Sequence, residues 1–175
     1  LSLKASSFAQ LESTCVKAGF FKDVPVLAFR QGNTVWFHEW LALDNQSKAP
    51  PAKAVIVHAL LAHQLKHSSS PRENPYEDYL EEAQATKNEL EVYAVAESQS
   101  PGTLQQIKNL LATELNFQQE SISDIVNLVE SYCQRAEDHK DEFLAQEAKA
   151  FVRKHYPQYS SNAFLDSMKE PATRP

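Results

Sequence analysis

Four of the six histidines lie within the first 67 residues, and two of them have a spacing that suits metal binding. His63 and His67 are four residues apart, so on a helix their rings share a face and can hold one metal ion. His58 lies five residues before His63 and points away from it, which leaves a pair rather than a triplet. Adding His38 gives a candidate ligand or metal site around His38, His63 and His67. The alternative is that these are hydrogen-bonded histidines in a core or at a helix end, and the sequence favours that simpler interpretation.

The patterns of common enzymes are missing from the sequence. Gln64 follows His63, so the His-Glu-x-x-His zinc pattern is absent. No Gly-x-Ser-x-Gly elbow occurs, and the three glycines stand isolated, which excludes a phosphate-binding loop. Cys15 and Cys133 lack ligand spacing and are expected to pack as small apolar residues. The sequence therefore predicts no cofactor and favours a non-enzymatic role, although an active site assembled from distant residues stays open.

Charge is distributed unevenly along the chain. Residues 1–72 contain 8 Lys or Arg and 4 Asp or Glu, whereas residues 73–175 contain 9 and 19. Much of the acidity falls on one predicted helix, where Glu77, Glu81 and Glu89 are candidate contacts for a protein partner with a basic surface. A solvated helix face is the simpler alternative. Nucleic acid is an unsuitable partner because its phosphates require a basic patch and the net charge is −6.

Aromatic residues are concentrated near the N-terminus. Trp36 and Trp40 lie in a segment that reads as the second strand of a β-hairpin, with Gly32-Asn33 as its turn and Phe29 opposite Trp36. The alternative is a helix over residues 34–43, since Trp36 and Trp40 also fit helical spacing. We expect both tryptophans to cap the core or, on an exposed face, to anchor a partner or line a pocket.

Most of the remaining chain has the apolar periodicity of helices, together with residues that typically begin or end a helix. A capping box and Gly19 predict a helix over residues 7–18. Pro50-Pro51, Asn74-Pro75, Ser100-Pro101-Gly102 and Pro157 mark the ends of later helices. Those helices are predicted over residues 52–67, 75–96, 104–115, 121–136 and 139–155, and Ser68–Pro71 reads as a loop.

These elements predict a mainly α protein: a bundle of about five or six helices with a small N-terminal β-hairpin, or an α+β fold if the hairpin extends into a sheet. Residues 1–157 are expected to form one domain. Residues 158–175 are expected to be a loosely ordered tail, with Phe164 and Leu165 docking back onto the domain.

The class of function that fits best is a protein–protein interaction module, such as an adaptor, regulator or assembly factor. We expect a cytoplasmic location, because no apolar run approaches the length of a membrane helix and no signal peptide is visible. We expect no contact with membrane or nucleic acid, and self-association into a homo-oligomer is an open possibility. A small ligand- or metal-binding protein or enzyme is the alternative.

Overall fold

The computed structural model describes residues 2–6, 27–41, 51–67, 75–115, 119–161 and 164. The predicted helix over residues 7–18 and the predicted loop Ser68–Pro71 lie outside these residues. The strands are β1 (Ser2–Ser6), β2 (Ala28–Gln31) and β3 (Thr34–His38). The helices are α1 (Pro51–Lys66), α2 (Pro75–Gln99), α3 (Thr103–Leu115), α4 (Gln119–Cys133) and α5 (Glu137–His155). The mainly α fold is confirmed, and all five helices predicted beyond residue 50 form within a few residues of the expected ends.

The predicted hairpin is confirmed in its expected register. Strands β2 and β3 are antiparallel, with Phe29 opposite Trp36. Gly32 occupies the turn with a φ of +56°, a left-handed conformation that glycine adopts at little cost. The alternative helix is wrong for the described residues, because β3 runs to His38 and only a short 3₁₀ turn (Glu39–Leu41) follows.

The hairpin extends into a three-stranded sheet. Strand β1 pairs in parallel with β3, from Ser2 opposite Thr34 to Ser6 opposite His38, so β3 is the central strand. This is the extension that the sequence left open. Val35 on β3 is completely buried, which fixes the sheet against the helices.

Helices α1 and α2 form the centre of the bundle. They pack against each other, and α2 also packs against α4 and α5. Helix α1 is apolar on several faces, as expected for a central helix. The largest side chains with almost no solvent exposure come from the sheet and four of the helices: Val35, Ile56, Leu90, Val129, Leu144 and Val152. Burial of each such side chain contributes roughly 1.5–3 kcal/mol to folding.

The turn between α2 and α3 forms where the sequence places it. Gly102 has a φ of +91°, and its N–H donates to a carboxylate oxygen of Glu97 at 2.8 Å. The N–H of Leu104 donates to the other oxygen of Glu97 at 2.9 Å. Glu97 therefore satisfies two backbone donors at the start of α3, which would otherwise lack intrahelical partners.

A second, smaller core lies where α2 and α5 meet the C-terminal residues. Its buried members are Tyr79, Ala83, Val152, Tyr159 and Phe164. The Tyr159 hydroxyl donates to Asp78 at 2.6 Å, and the rings of Tyr79 and Phe164 meet edge to face with centroids 5.4 Å apart. The expected docking of Phe164 is therefore present, whereas Leu165 lies outside the described residues. Among the helices of the described residues, none is long and apolar enough to cross a bilayer.

Candidate metal centre between two helices

Two histidines at the end of α1 face three glutamates on α2. His63 lies in the last turn of α1 and His67 directly follows that helix, whereas Glu82 and Glu89 are about two turns apart on one face of α2. The two helices run antiparallel, because His67 contacts Glu81 while His63 contacts Glu89. This packing brings the last turns of α1 against the first half of α2.

The carboxylate of Glu82 joins the two imidazoles. Its Oε1 lies 3.1 Å from His63 Nε2, and its Oε2 lies 3.4 Å from His67 Nε2. The two rings meet edge to face, with centroids 5.0 Å apart. The donor atoms that His63, His67 and Glu82 offer lie within 4.8 Å of one another.

Each imidazole also has a carboxylate on its other nitrogen. His63 Nδ1 lies 3.0 Å from Glu89 Oε2, and His67 Nδ1 lies 3.2 Å from Glu81 Oε1. The Tyr93 hydroxyl donates to Glu89 at 3.4 Å, which orients this outer carboxylate. Both rings are therefore fixed between an inner carboxylate, Glu82, and an outer one.

The protonation of the cluster follows from burial and from these neighbours. His63 is only 5% exposed and Glu82 only 7%. Burial opposes charge on His63, but the carboxylates of Glu82 and Glu89 outweigh it and raise its pKa to about 10. Burial likewise opposes ionisation of Glu82, but His63, His67 and a hydrogen bond from Tyr156 lower its pKa below the ordinary value. His63 is thus cationic and Glu82 anionic at neutral pH.

His67 has the opposite protonation state. Burial lowers its pKa below the ordinary value of 6.5, and this outweighs the attraction of Glu82. A neutral imidazole carries one N–H, so only one of the two nitrogens of His67 can donate to a carboxylate. When Nδ1 donates to Glu81, the lone pair on Nε2 faces Glu82 Oε2 at 3.4 Å. Two acceptors that face each other in this way are stabilised by a cation between them.

The structure separates the sequence-predicted histidines into two groups. It brings His63 and His67 together but not His38, whose Nδ1 accepts the Trp40 N–H at 3.1 Å. His58 is exposed, in line with its predicted direction. Among the described residues, the third member of the group that can hold a metal is Glu82.

Glu82 was not predicted from the sequence, and Glu81 and Glu89 were predicted to contact a basic protein partner instead. The signal was present: a short connection between two helices makes them antiparallel neighbours, so acidic residues early in α2 must face the end of α1. Of the three glutamates proposed for a basic partner, Glu77 is exposed, whereas Glu81 and Glu89 turn toward the histidines.

Both tryptophans proposed as partner contacts are half-buried and covered by lysines. The Lys4 ammonium lies 4.9 Å from the centre of the Trp36 ring, and Lys53 lies 4.3 Å from that of Trp40. The Trp40 indole N–H also donates to Glu114. These contacts anchor Trp40 to α1 and α3.

No protein-family model matches the sequence, and neither a curated protein nor a solved structure is significantly similar to it. The proposed function therefore rests on the geometry of the histidine–glutamate cluster.

Proposed function

We propose that the chain binds a divalent transition-metal ion between α1 and α2, with His63 Nε2, His67 Nε2 and the Glu82 carboxylate as ligands. One observation carries the proposal: both imidazoles direct one nitrogen at the same carboxylate and the other nitrogen at a second carboxylate. Metal-bound histidines typically have this outer carboxylate, which fixes the ring and makes the ligating nitrogen more basic.

The distances at Glu82 suit a small ion. Zinc lies about 2.0–2.2 Å from histidine nitrogen and carboxylate oxygen, which places neighbouring tetrahedral ligands about 3.4 Å apart. The separations of 3.1 and 3.4 Å between Glu82 and the two imidazoles are close to that value. The two distances run to different oxygens of Glu82, and the three donor groups lie within 4.8 Å of one another, so the two rings must approach each other to bind one ion.

The charge of the cluster also supports a cation. Three carboxylates surround two imidazoles, and His67 is neutral. Buried negative charge is costly unless it is paired. A divalent ion bound in place of the His63 proton adds one positive charge and separates the two acceptors at His67 and Glu82.

The ligand set indicates the class of metal. Imidazole nitrogen suits zinc, iron, cobalt, nickel and copper, whereas calcium and magnesium prefer sites made of oxygen. We therefore expect Zn²⁺ and Co²⁺ to bind in the presence of millimolar Mg²⁺. Three protein ligands leave a coordination position for water or an anion, which keeps an enzymatic role open.

Isothermal titration of untagged, metal-free protein with Zn²⁺ tests the proposal. The wild type is expected to bind about one equivalent, and Glu82→Gln to bind more than about 100-fold more weakly, because it loses an anionic ligand. Glu77→Gln is the matched control, since it removes the same charge from an exposed position on the same helix. Absence of binding by the wild type, or equal affinity of both variants, contradicts the proposal.

A further inference from the structure

Arg30 on β2 connects the sheet to the end of α1 that carries the two histidines. Its Nη1 donates to three backbone carbonyls: those of Gln64 at 3.3 Å, Leu65 at 3.4 Å and His67 at 2.6 Å. Its Nε donates to the Gly32 carbonyl in the hairpin turn at 3.1 Å. The guanidinium is thus held by its own hairpin and directed at the helix end.

The last carbonyls of a helix have no partner within the helix, and a cation there also interacts favourably with the helix dipole. Arg30 therefore stabilises the backbone at the C-terminal end of α1, which His67 directly follows. A second bond reinforces the contact, because the Gln64 side chain donates to the Ala28 carbonyl on β2 at 3.4 Å. The turn that separates His63 from His67 is consequently fixed by the sheet as well as by α2.

We propose that the sheet regulates the metal site through Arg30: docking of the hairpin on α1 holds His67 in position to bind the metal, and metal binding in turn strengthens the docking. This inference rests on the proposed function. Reciprocity follows from linkage, since two events that favour the same arrangement of the α1 end must stabilise each other equally. Arg30 is a positioning residue here, because it contacts the backbone of a ligand and not the metal.

Co²⁺ titration of untagged protein, followed by the visible absorption of the bound ion, tests the coupling. Arg30→Gln is expected to weaken Co²⁺ binding about 10–100-fold and to change the spectrum, since His67 is less well oriented. Arg30→Lys, which keeps the charge but has a single donor group, is expected to recover part of the affinity. Gln31→Ala is the control, because Gln31 is exposed on the same strand.

A double-mutant cycle separates positioning from a general loss of stability. If Arg30 acts through His67, Arg30→Gln has little further effect on Co²⁺ affinity in a His67→Gln background. Equal losses in both backgrounds, or wild-type affinity in Arg30→Gln, overturn the coupling while leaving metal binding intact. Failure of the wild type to bind Co²⁺ overturns the proposed function and the coupling with it.

Hydrogen exchange of the wild type provides a test that needs no variant. Zn²⁺ is expected to slow exchange of the hairpin amides in residues 28–38 by about 5-fold or more, the size of a modest coupling free energy. Exchange that slows in α1 and α2 but not in the hairpin overturns the coupling.

Discussion

At the scale of single residues, the cluster depends on the two carboxylate partners of His63. One ring nitrogen faces Glu82 and the other faces Glu89, so the imidazolium donates two charge-assisted hydrogen bonds. Removing one partner leaves the other charges buried and less well compensated, which costs more than a surface ion pair contributes. In the proposed metal site the same atoms serve as ligands or their supports, so the ion pairs and the metal-bound form would be alternative states of one cluster.

His63 is predicted to make the stability of the metal-free protein fall as the pH rises above neutrality. Its pKa of about 10 in the fold lies above the unfolded value of about 6.5. Protonation therefore stabilises the fold fully below pH 6.5, and the contribution is lost as the pH rises to about 10. Urea unfolding at several pH values measures the effect.

His63→Gln removes this pH dependence, whereas His58→Gln, at an exposed position on the same helix, keeps it. Nitrogen chemical shifts of the His63 ring give an independent readout. A neutral His63 ring at pH 8 in metal-free protein would contradict the expected protonated imidazole.

At the scale of elements, the ends of the helices were predictable because the signals are local. Proline, glycine and capping residues act within one turn of the chain, so Pro75 and Gly102 mark helix ends correctly. The parallel pairing of β1 with β3 was not predictable, because Ser2–Ser6 is only five residues long, contains no β-branched or aromatic residue, and has its partner far along the chain. The contacts of Glu82 cross between helices, so its role could be predicted only by placing α1 and α2 side by side.

Gly102 is predicted to be sensitive to substitution. Its φ of +91° lies in the region that side chains rarely adopt, although a Cβ there would meet open space. Gly102→Ala is therefore expected to lower the free energy of unfolding by about 1 kcal/mol or more through backbone strain alone. Thermal denaturation measures the loss, with Gln99→Ala at the exposed end of α2 as the control. Equal stability of both variants contradicts the expectation that alanine is strained at position 102.

Asp124 is predicted to connect α4 and α5 in a pH-dependent way. Its Oδ2 lies 2.7 Å from both Lys154 Nζ and His155 Nε2. Partial burial opposes ionisation, but hydrogen bonds from these two residues outweigh it and lower the Asp124 pKa. The stabilisation is present above the unfolded pKa of about 3.9 and is lost as the pH falls through the folded value.

Because the Asp124 pair is partly solvated, Asp124→Asn is expected to cost no more than about 1 kcal/mol at pH 7. The difference from the wild type should vanish at low pH. A difference, measured by urea unfolding, that does not shrink as the pH falls through the titration of Asp124 contradicts the ion-pair origin.

At the scale of the whole molecule, the acidic helix α2 carries glutamates on two faces with different surroundings. Glu81 and Glu89 contact histidines, whereas Glu77 is exposed to solvent. Binding of a basic protein partner stays a prediction. Among Glu77, Glu81 and Glu89, the exposed Glu77 is the residue best placed to contact such a partner. Reversal of all three charges is expected to weaken binding of a basic partner, and it also costs stability because Glu81 and Glu89 contact the two histidines.

Charge reversal distinguishes the two faces. Glu89→Lys is expected to lower the free energy of unfolding by about 2–4 kcal/mol, because it places a cation from a half-buried position beside the buried, protonated His63. Glu77→Lys is expected to change it by less than about 0.5 kcal/mol. Thermal denaturation of metal-free protein measures both, and similar losses for the two variants contradict the division of α2 into an inner and an outer face.

His63, His67 and Glu82 are the proposed ligands of one transition-metal ion between α1 and α2. X-ray absorption at the zinc edge, measured on untagged protein loaded with one equivalent of Zn²⁺, tests this most directly. We expect two imidazole ligands and one or two oxygen ligands at about 2.0–2.2 Å, with one imidazole lost in His67→Gln. Sulfur ligands at about 2.3 Å, or a coordination sphere that is unchanged in His67→Gln, would contradict it.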